Sequence, residues 1–164
     1  MKRKTLEKTS RPSIFYLDGG SGRVLCAIPA LEYYALTHYN FSIMTSLKEE
    51  FIKENPILYK YAHSFNEEGL YDDIIKDGQM IMLEPYFRSE YYNQECSLIQ
   101  AFDLEINGDY CIGDKAPKLY FSKNEEGDNK TNIHKIKEEY KCQGKPLLVF
   151  QPFGASASLF DDGV

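Results

Sequence analysis

Hydrophobic and polar positions change rhythm several times along this chain, and each change marks an element. Residues 13–17, Ser-Ile-Phe-Tyr-Leu, form a short apolar, aromatic run closed by Gly19 and Gly20, which predicts a buried strand. From 22 to about 38 the residues Val24, Leu25, Ile28, Leu31, Tyr34, Ala35 and Tyr39 recur near helical spacing. That predicts a helix in which Pro29 is a kink or marks a late first turn. Residues 41–45 read as a second strand, and 47–54 as a short helix stopped by Asn55-Pro56. A third strand is expected over 57–62, with Tyr59 and Tyr61 on one face. A polar connection follows over 65–73, with a brief pairing segment at 71–76. Residues 80–84 predict a buried strand ended by Pro85. Residues 89–102 predict a helix with Tyr92, Cys96, Ile99 and Phe102 along one face. Beyond Pro117 the expectation is a strand-like piece over 118–122 and a charged, flexible stretch over 124–130. A surface helix over 131–141, with Ile133, Ile136 and Tyr140 inward, comes next. The apolar run 146–151 predicts a last strand, which opens into the small-residue loop 152–158.

Strands that alternate with helices imply an α/β fold, a Rossmann-like three-layer domain with a mainly parallel sheet covered on both faces. Ligands of such sheets bind beyond the carboxyl ends of the strands, where the loops 19–22 and 154–158 are expected. A length of 164 residues suits one domain with a sizeable core. The expected organisation is a basic leader over 1–12, the Rossmann-like domain over 13–145, and a last strand and loop over 146–164. With 43% hydrophobic residues the chain is expected to be globular. A formal net charge of −6 argues against a nucleic-acid partner, because phosphate neutralisation needs clustered Lys and Arg. No apolar run reaches the length of a membrane span, and the start lacks a signal-peptide core, so a cytoplasmic protein is expected. Cys26, Cys96, Cys111 and Cys142 lie far apart, and His38, His63 and His134 are scattered, so no metal site is expected.

The glycine cluster carries the chemistry. A strand, a Gly-rich turn and a helix in that order place backbone N–H groups at a helix N-terminus, which favours electron-rich ligand groups. The same glycines also read simply as a tight strand-to-helix turn. Two standard phosphate loops are excluded: a dinucleotide fingerprint needs a third glycine where Leu25 stands, and a P-loop needs Gly-Lys-Ser/Thr where Arg23-Val24 follow Gly22. The acidic pairs Asp72-Asp73 and Asp161-Asp162 read as solvated loops as readily as metal ligands. Tyr33, Tyr34, Tyr86, Tyr91 and Tyr92 suit either sugar stacking or the edge of a core.

The run from Gly19 to Leu31, Gly-Gly-Ser-Gly-Arg-Val-Leu-Cys-Ala-Ile-Pro-Ala-Leu, resembles the start of the heptosyltransferase-like glycosyltransferases, glycosyltransferase family 9. These open with a strand, Gly-Gly-x-Gly-Asp, and an apolar helix carrying Thr-Pro-Ala-Leu, which Ile28-Pro-Ala-Leu31 matches. Their second half opens with an apolar strand and a Pro-Gly-Ala/Thr-Ser loop. The run 147–156 looks like that opening, with Phe153 inserted. The resemblance implies the N-terminal, acceptor-side half of a two-domain GT-B enzyme, with only the first strand and loop of the donor half. Its activity would be inverting sugar transfer from a nucleotide-sugar, a substrate and not a cofactor, to a saccharide or lipid-linked acceptor. The expected substrate-binding residues are Gly19, Gly20, Ser21, Gly22 and Arg23, and the donor-side loop is Gly154, Ala155 and Ser156. A separate C-terminal GT-B domain or another protein would be the partner, and no cofactor is implied.

Two departures bear on mechanism. Inverting transfer needs a carboxylate to take the acceptor proton, yet Arg23 stands where the family has Asp. A guanidinium, protonated at physiological pH, cannot be that base and suits a phosphate or carboxylate clamp instead. Asp18 and Glu84 are the nearest substitute bases, although each also reads as a turn or surface carboxylate. Donor phosphates usually meet a basic residue near the second loop, and no Lys or Arg follows Lys145. The alternative is a non-catalytic binding or assembly domain that retains the sheet, and a third reading is an unrelated nucleotide- or sugar-phosphate-binding Rossmann domain.

Overall fold

The computed structural model describes residues 11–45, 49–113 and 115–146. The chain divides into two compact units, 1–121 and 122–164. In the first, β1 (Ser13–Leu17) leads through the glycine turn into α1 (Ser21–Tyr34), then β2 (Phe41–Thr45), α2 (Glu50–Lys53) and β3 (Ala62–His63). After a polar loop come β4 (Gln79–Met82), α3 (Ser89–Tyr92) and α4 (Leu98–Asn107). Among the described residues the four strands form one sheet in the order β3-β2-β1-β4, and all its pairings are parallel. The chain therefore winds outward from β1 through β2 to β3, then returns to add β4 on β1's other side. That reversal leaves a crevice at the carboxyl ends of β1 and β4.

The strand period of two explains how both faces are covered. Phe15 and Leu17 of β1, with Phe41 and Ile43 of β2, join Val24, Ile28 and Leu31 of α1 and Phe102 and Ile106 of α4 in the main core. Ile14 and Met44 point to the other face, where Leu70, Tyr16, Ile74 and Ile75 cover them. The α/β, mainly parallel, three-layer expectation is thus met. Two carboxylates buried in this core are paired. Glu32 of α1 accepts from Asn55 Nδ2 and from Lys115 Nζ, both at 2.9 Å. Asp103 of α4 accepts from Asn107 Nδ2 at 2.8 Å and from the Ile112 N–H at 2.9 Å. Gly78 is required by packing: a Cβ there would lie 2.2 Å from Ile14 Cδ1 and 2.8 Å from the Ile74 carbonyl oxygen.

Strands β1 and β2 match the expected bounds, and other elements differ for identifiable reasons. The helix continues through Pro29, which lies well past its first turn, and stops at Tyr34, because Leu36 and Tyr39 have nothing to bury against and are exposed. Of the short helix expected over 47–54, the described part is Glu50–Lys53. Residues 57–62 are mostly not a strand: Asn55 Oδ1 accepts from the Ile57 and Leu58 N–H groups and starts a tight turn, with a 3-10 turn over Tyr59–Tyr61. Tyr61 is stacked on Phe41 while Tyr59 is exposed, so the two do not share a face. Segment 71–76 makes a π-type turn (Tyr71–Ile75) and no strand pairing.

Strand β4 lies at the sheet edge with Met80 and Met82 exposed, and it is not buried as expected. The single helix expected over 89–102 is two. Gln94 takes a left-handed conformation (φ 61°) after α3, and Ser97 restarts the chain with a capping box to Gln100. Tyr92 is consequently exposed while Phe102 is fully buried, and they do not line one face. Residues 118–122 form no strand.

Among its described residues the second unit holds one helix, α5 (Lys123–Glu139), capped by a box between Ser122 and Glu125. It absorbs the stretch expected to be flexible. Ile133, Ile136 and Tyr140 are exposed and not turned inward. The strand expected over 146–151, the loop with Gly154, Ala155 and Ser156, and residues 1–10 of the leader lie outside the described residues.

Candidate functional site

The glycine turn and the return of β4 bring the sequence-selected residues to one place. Gly19 adopts φ 98°, a conformation that favours glycine, and a Cβ added there would stand 3.1 Å from Arg23 Cδ. The turn so made lets the Arg23 side chain fold back across the carboxyl ends of β1 and β4. Its Nη2 donates to the Leu83 carbonyl oxygen and pairs with Glu84 Oε2 at 3.0 Å, while Nη1 lies 3.6 Å from Asp18 Oδ1. The guanidinium also sits over the Tyr86 ring, 5.3 Å from its centroid. Arg23 is only 13% exposed. The expected anion clamp is therefore already occupied: this cation ties β1, α1 and β4 together and holds both substitute bases.

The start of α1 is left open. Its N-cap is Gly20, with no side-chain cap and no acidic residue in the first turn, whereas α4 and α5 both carry complete capping boxes. The Arg23 and Val24 N–H groups fold back onto the Gly20 carbonyl, and Ser21 and Gly22 occupy the positions whose N–H groups lack intrahelical partners. A Cβ at Gly20 or Gly22 would meet nothing within 4 Å, so packing demands neither glycine.

Around this point buried polar atoms go unpaired. Among the described residues, Arg23 Nε, Thr45 Oγ1, Arg88 Nε and Glu105 Oε2 are buried with no hydrogen-bond partner. Thr45 stands beside Leu17 at the carboxyl end of β2. Glu105 reaches the same end of the sheet by accepting from the Glu84 N–H at 2.9 Å. Burial pushes the Glu105 carboxyl above its usual range, against the pull of Arg88 and Arg23. The Tyr86 phenol is likewise raised by burial, opposed by Arg23, and remains a neutral hydroxyl. Arg88 pairs with Glu90 at 3.5 Å. Sequence reasoning missed Arg88, Glu105 and Gln94. For Arg88 a signal existed, since it closely follows a strand end marked by Pro85. Glu105 offered none, because only the packing of α4 brings it to Glu84.

Two cavities flank the sheet ends. One of 340 Å³, just beyond the carboxyl end of β4, is lined by Tyr86, Tyr91, Tyr92, Gln94 and Cys96. The other, of 810 Å³, lies toward the amino ends of β1 and β4 among Tyr33, Tyr34, His38 and Tyr39. Among the described residues no group of three His, Cys, Asp or Glu side chains is placed to hold a metal ion. Among them also, no helix is long and apolar enough to cross a membrane. No protein-family model matches the chain, and neither a curated protein nor a solved structure matches it.

Proposed function

We propose that the crevice at the carboxyl ends of β1 and β4 binds a saccharide-bearing acceptor, as the acceptor side of a glycosyltransferase-like cleft. The observation that carries this reading is the convergence there of the uncapped α1 N-terminus, the Arg23–Glu84–Asp18 cluster and buried polar atoms without partners. Such atoms cost about 1–3 kcal/mol each when unpaired, and a hydroxyl-rich ligand offers them partners. The resemblance of residues 19–31 to family 9 adds the reaction: inverting transfer from a nucleotide-sugar whose activation rests on groups outside the crevice described here. Glu84 is the preferred base, since it stands just beyond the carboxyl end of β4. It must leave Arg23 to accept a proton.

A second reading, non-catalytic binding, is favoured by one observation: both carboxylates nearest the turn are held by Arg23. Amide shifts during titration test both readings. Neutral methyl glycosides should shift Gly20, Ser21 and Gly22, and nucleotide-sugars should not. Gly22→Ala should stabilise α1 by about 0.5–1 kcal/mol while weakening glycoside binding. A saturable response to nucleotide-sugars alone would replace the acceptor reading with nucleotide binding. In an assay with an active donor half, Glu84→Gln should abolish transfer and spare glycoside binding; unchanged transfer removes Glu84 as the base.

A further inference from the structure

The cavity lined by Tyr86, Tyr91 and Tyr92 has a chemistry of its own. At 340 Å³ it lies at the small end of the roughly 300–1,000 Å³ of small-molecule sites, room for one ring and not for a dinucleotide. Its aromatic wall is held in place. Tyr86 is backed by the Arg23 guanidinium and meets Tyr91 edge-on, centroids 5.6 Å apart at 73°. The chain beyond α3 is equally fixed. The Gln94 N–H donates to the Tyr91 carbonyl at 3.0 Å, and the Glu95 N–H to the Glu90 carbonyl at 2.8 Å. These are the paired bonds of a left-handed helix stop. That position ordinarily holds glycine, and here a long amide occupies it at the cavity wall. Tyr92, 82% exposed, makes no ring contact and no side-chain hydrogen bond among the described residues, so the fold does not require its ring.

Charge selects among ligands. Arg23 already faces Asp18 and Glu84, and Arg88 faces Glu90. Glu105 adds a further carboxyl bonded to the Glu84 N–H. Among the described residues here, the carboxylates of Asp18, Glu84, Glu90 and Glu105 outnumber the two guanidiniums of Arg23 and Arg88, so an anionic ligand is repelled. A neutral ring with apolar C–H faces and a hydroxyl edge fits what remains: tyrosine faces for the former, phenol hydroxyls and the Gln94 amide for the latter.

We infer that this cavity seats one neutral pyranose ring, with Tyr86, Tyr91 and Tyr92 against its faces and Gln94 at its hydroxyls. The inference rests on the acceptor-side reading and adds the substrate class and its seat. The test is an NMR titration of the full chain with the methyl glycosides of glucose, galactose and mannose, and with a phosphorylated hexose. Neutral glycosides should saturably shift the Tyr86, Tyr91 and Tyr92 ring signals, and the phosphorylated hexose should bind about tenfold more weakly. Tyr92→Ala should weaken glycoside binding about tenfold with no change in melting temperature. Gln94→Asn, which tolerates the left-handed backbone but withdraws the amide, should weaken it less.

Glycoside shifts confined to Gly20, Ser21 and Gly22, with Tyr92→Ala binding like the parent, would overturn the tyrosine seat and leave the acceptor reading standing. Tighter binding of the phosphorylated hexose would overturn the neutral class. No saturable response to any glycoside would overturn both.

Discussion

The two ends of the sheet hold cavities of opposite character. At the amino end the larger cavity, 810 Å³, is lined by aromatic groups whose polar atoms serve the fold. His38 stacks on Tyr34 at 3.8 Å, and its Nδ1 lies within hydrogen-bond distance of Thr37 Oγ1 and the Tyr34 carbonyl. These contacts close the turn after α1. At the carboxyl end the cavity is less than half that size. It adjoins paired charges, an uncapped helix start and buried atoms without partners. Volume alone would select the amino end, and chemistry the carboxyl end. A winding parallel sheet spends its amino-end loops on closing the fold and leaves its carboxyl-end loops free to differ. Glu105 touches both regions, lining the larger cavity and bonding Glu84.

That contrast can be broken most forcefully at Gly78, which precedes β4 at the amino end. Gly78→Ala should destabilise the protein by about 1–3 kcal/mol through overpacking against Ile14 and Ile74. Glycoside binding should survive in the folded fraction. Urea denaturation with a parallel binding assay reads both, and lost binding in folded protein would join the two ends functionally.

A somewhat smaller effect is expected from Arg23→Ala, about 1–2 kcal/mol, since the cation is nearly buried but its carboxylates are partly solvated. Glycoside affinity should fall with it, because Tyr86 loses its backing. A variant as stable as the parent would mean that Arg23 ties nothing together.

The smallest effect concerns Glu105. Burial raises its carboxyl in the folded chain, so the folded state prefers the protonated form. The charged form then opposes folding. This penalty is absent below about pH 4 and grows as pH rises through the raised value. Glu105→Gln keeps an acceptor for the Glu84 N–H and removes the charge. It should raise the melting temperature near neutral pH and leave it unchanged in acid. An equal rise at both ends of the pH range would point to packing instead.

Local chemistry made part of this molecule legible. Strands β1 and β2 are short apolar runs with clear punctuation, and their bounds are those of the structure. The capping boxes at Ser97 and Ser122 are also present as Ser-x-x-Gln and Ser-x-x-Glu, although the first lies inside the apolar spacing of 89–102 and the second opens into the charged stretch 124–130. Paired tyrosines at 59 and 61 suggested alternation, but the Asn55 side chain bonds the following backbone and turns the chain first. These failures share a cause: local hydrogen bonds to the backbone outrank apolar periodicity where few residues are buried.

The site divides in the same way. By itself the sequence determined that a strand, a glycine turn and an uncapped helix stand in succession, because those are properties of neighbouring residues and their backbone freedom. It also determined that Asp18 and Glu84 stand at strand ends and that Arg23 directly follows the last glycine of the turn. Only the tertiary structure decided that they meet. Arg23 and Glu84 are far apart in the chain and become partners because β4 returns to the free side of β1. The same return made Arg23 a tie instead of a clamp: a guanidinium takes the nearest carboxylates, and sheet order, which no local pattern encodes, determines which those are.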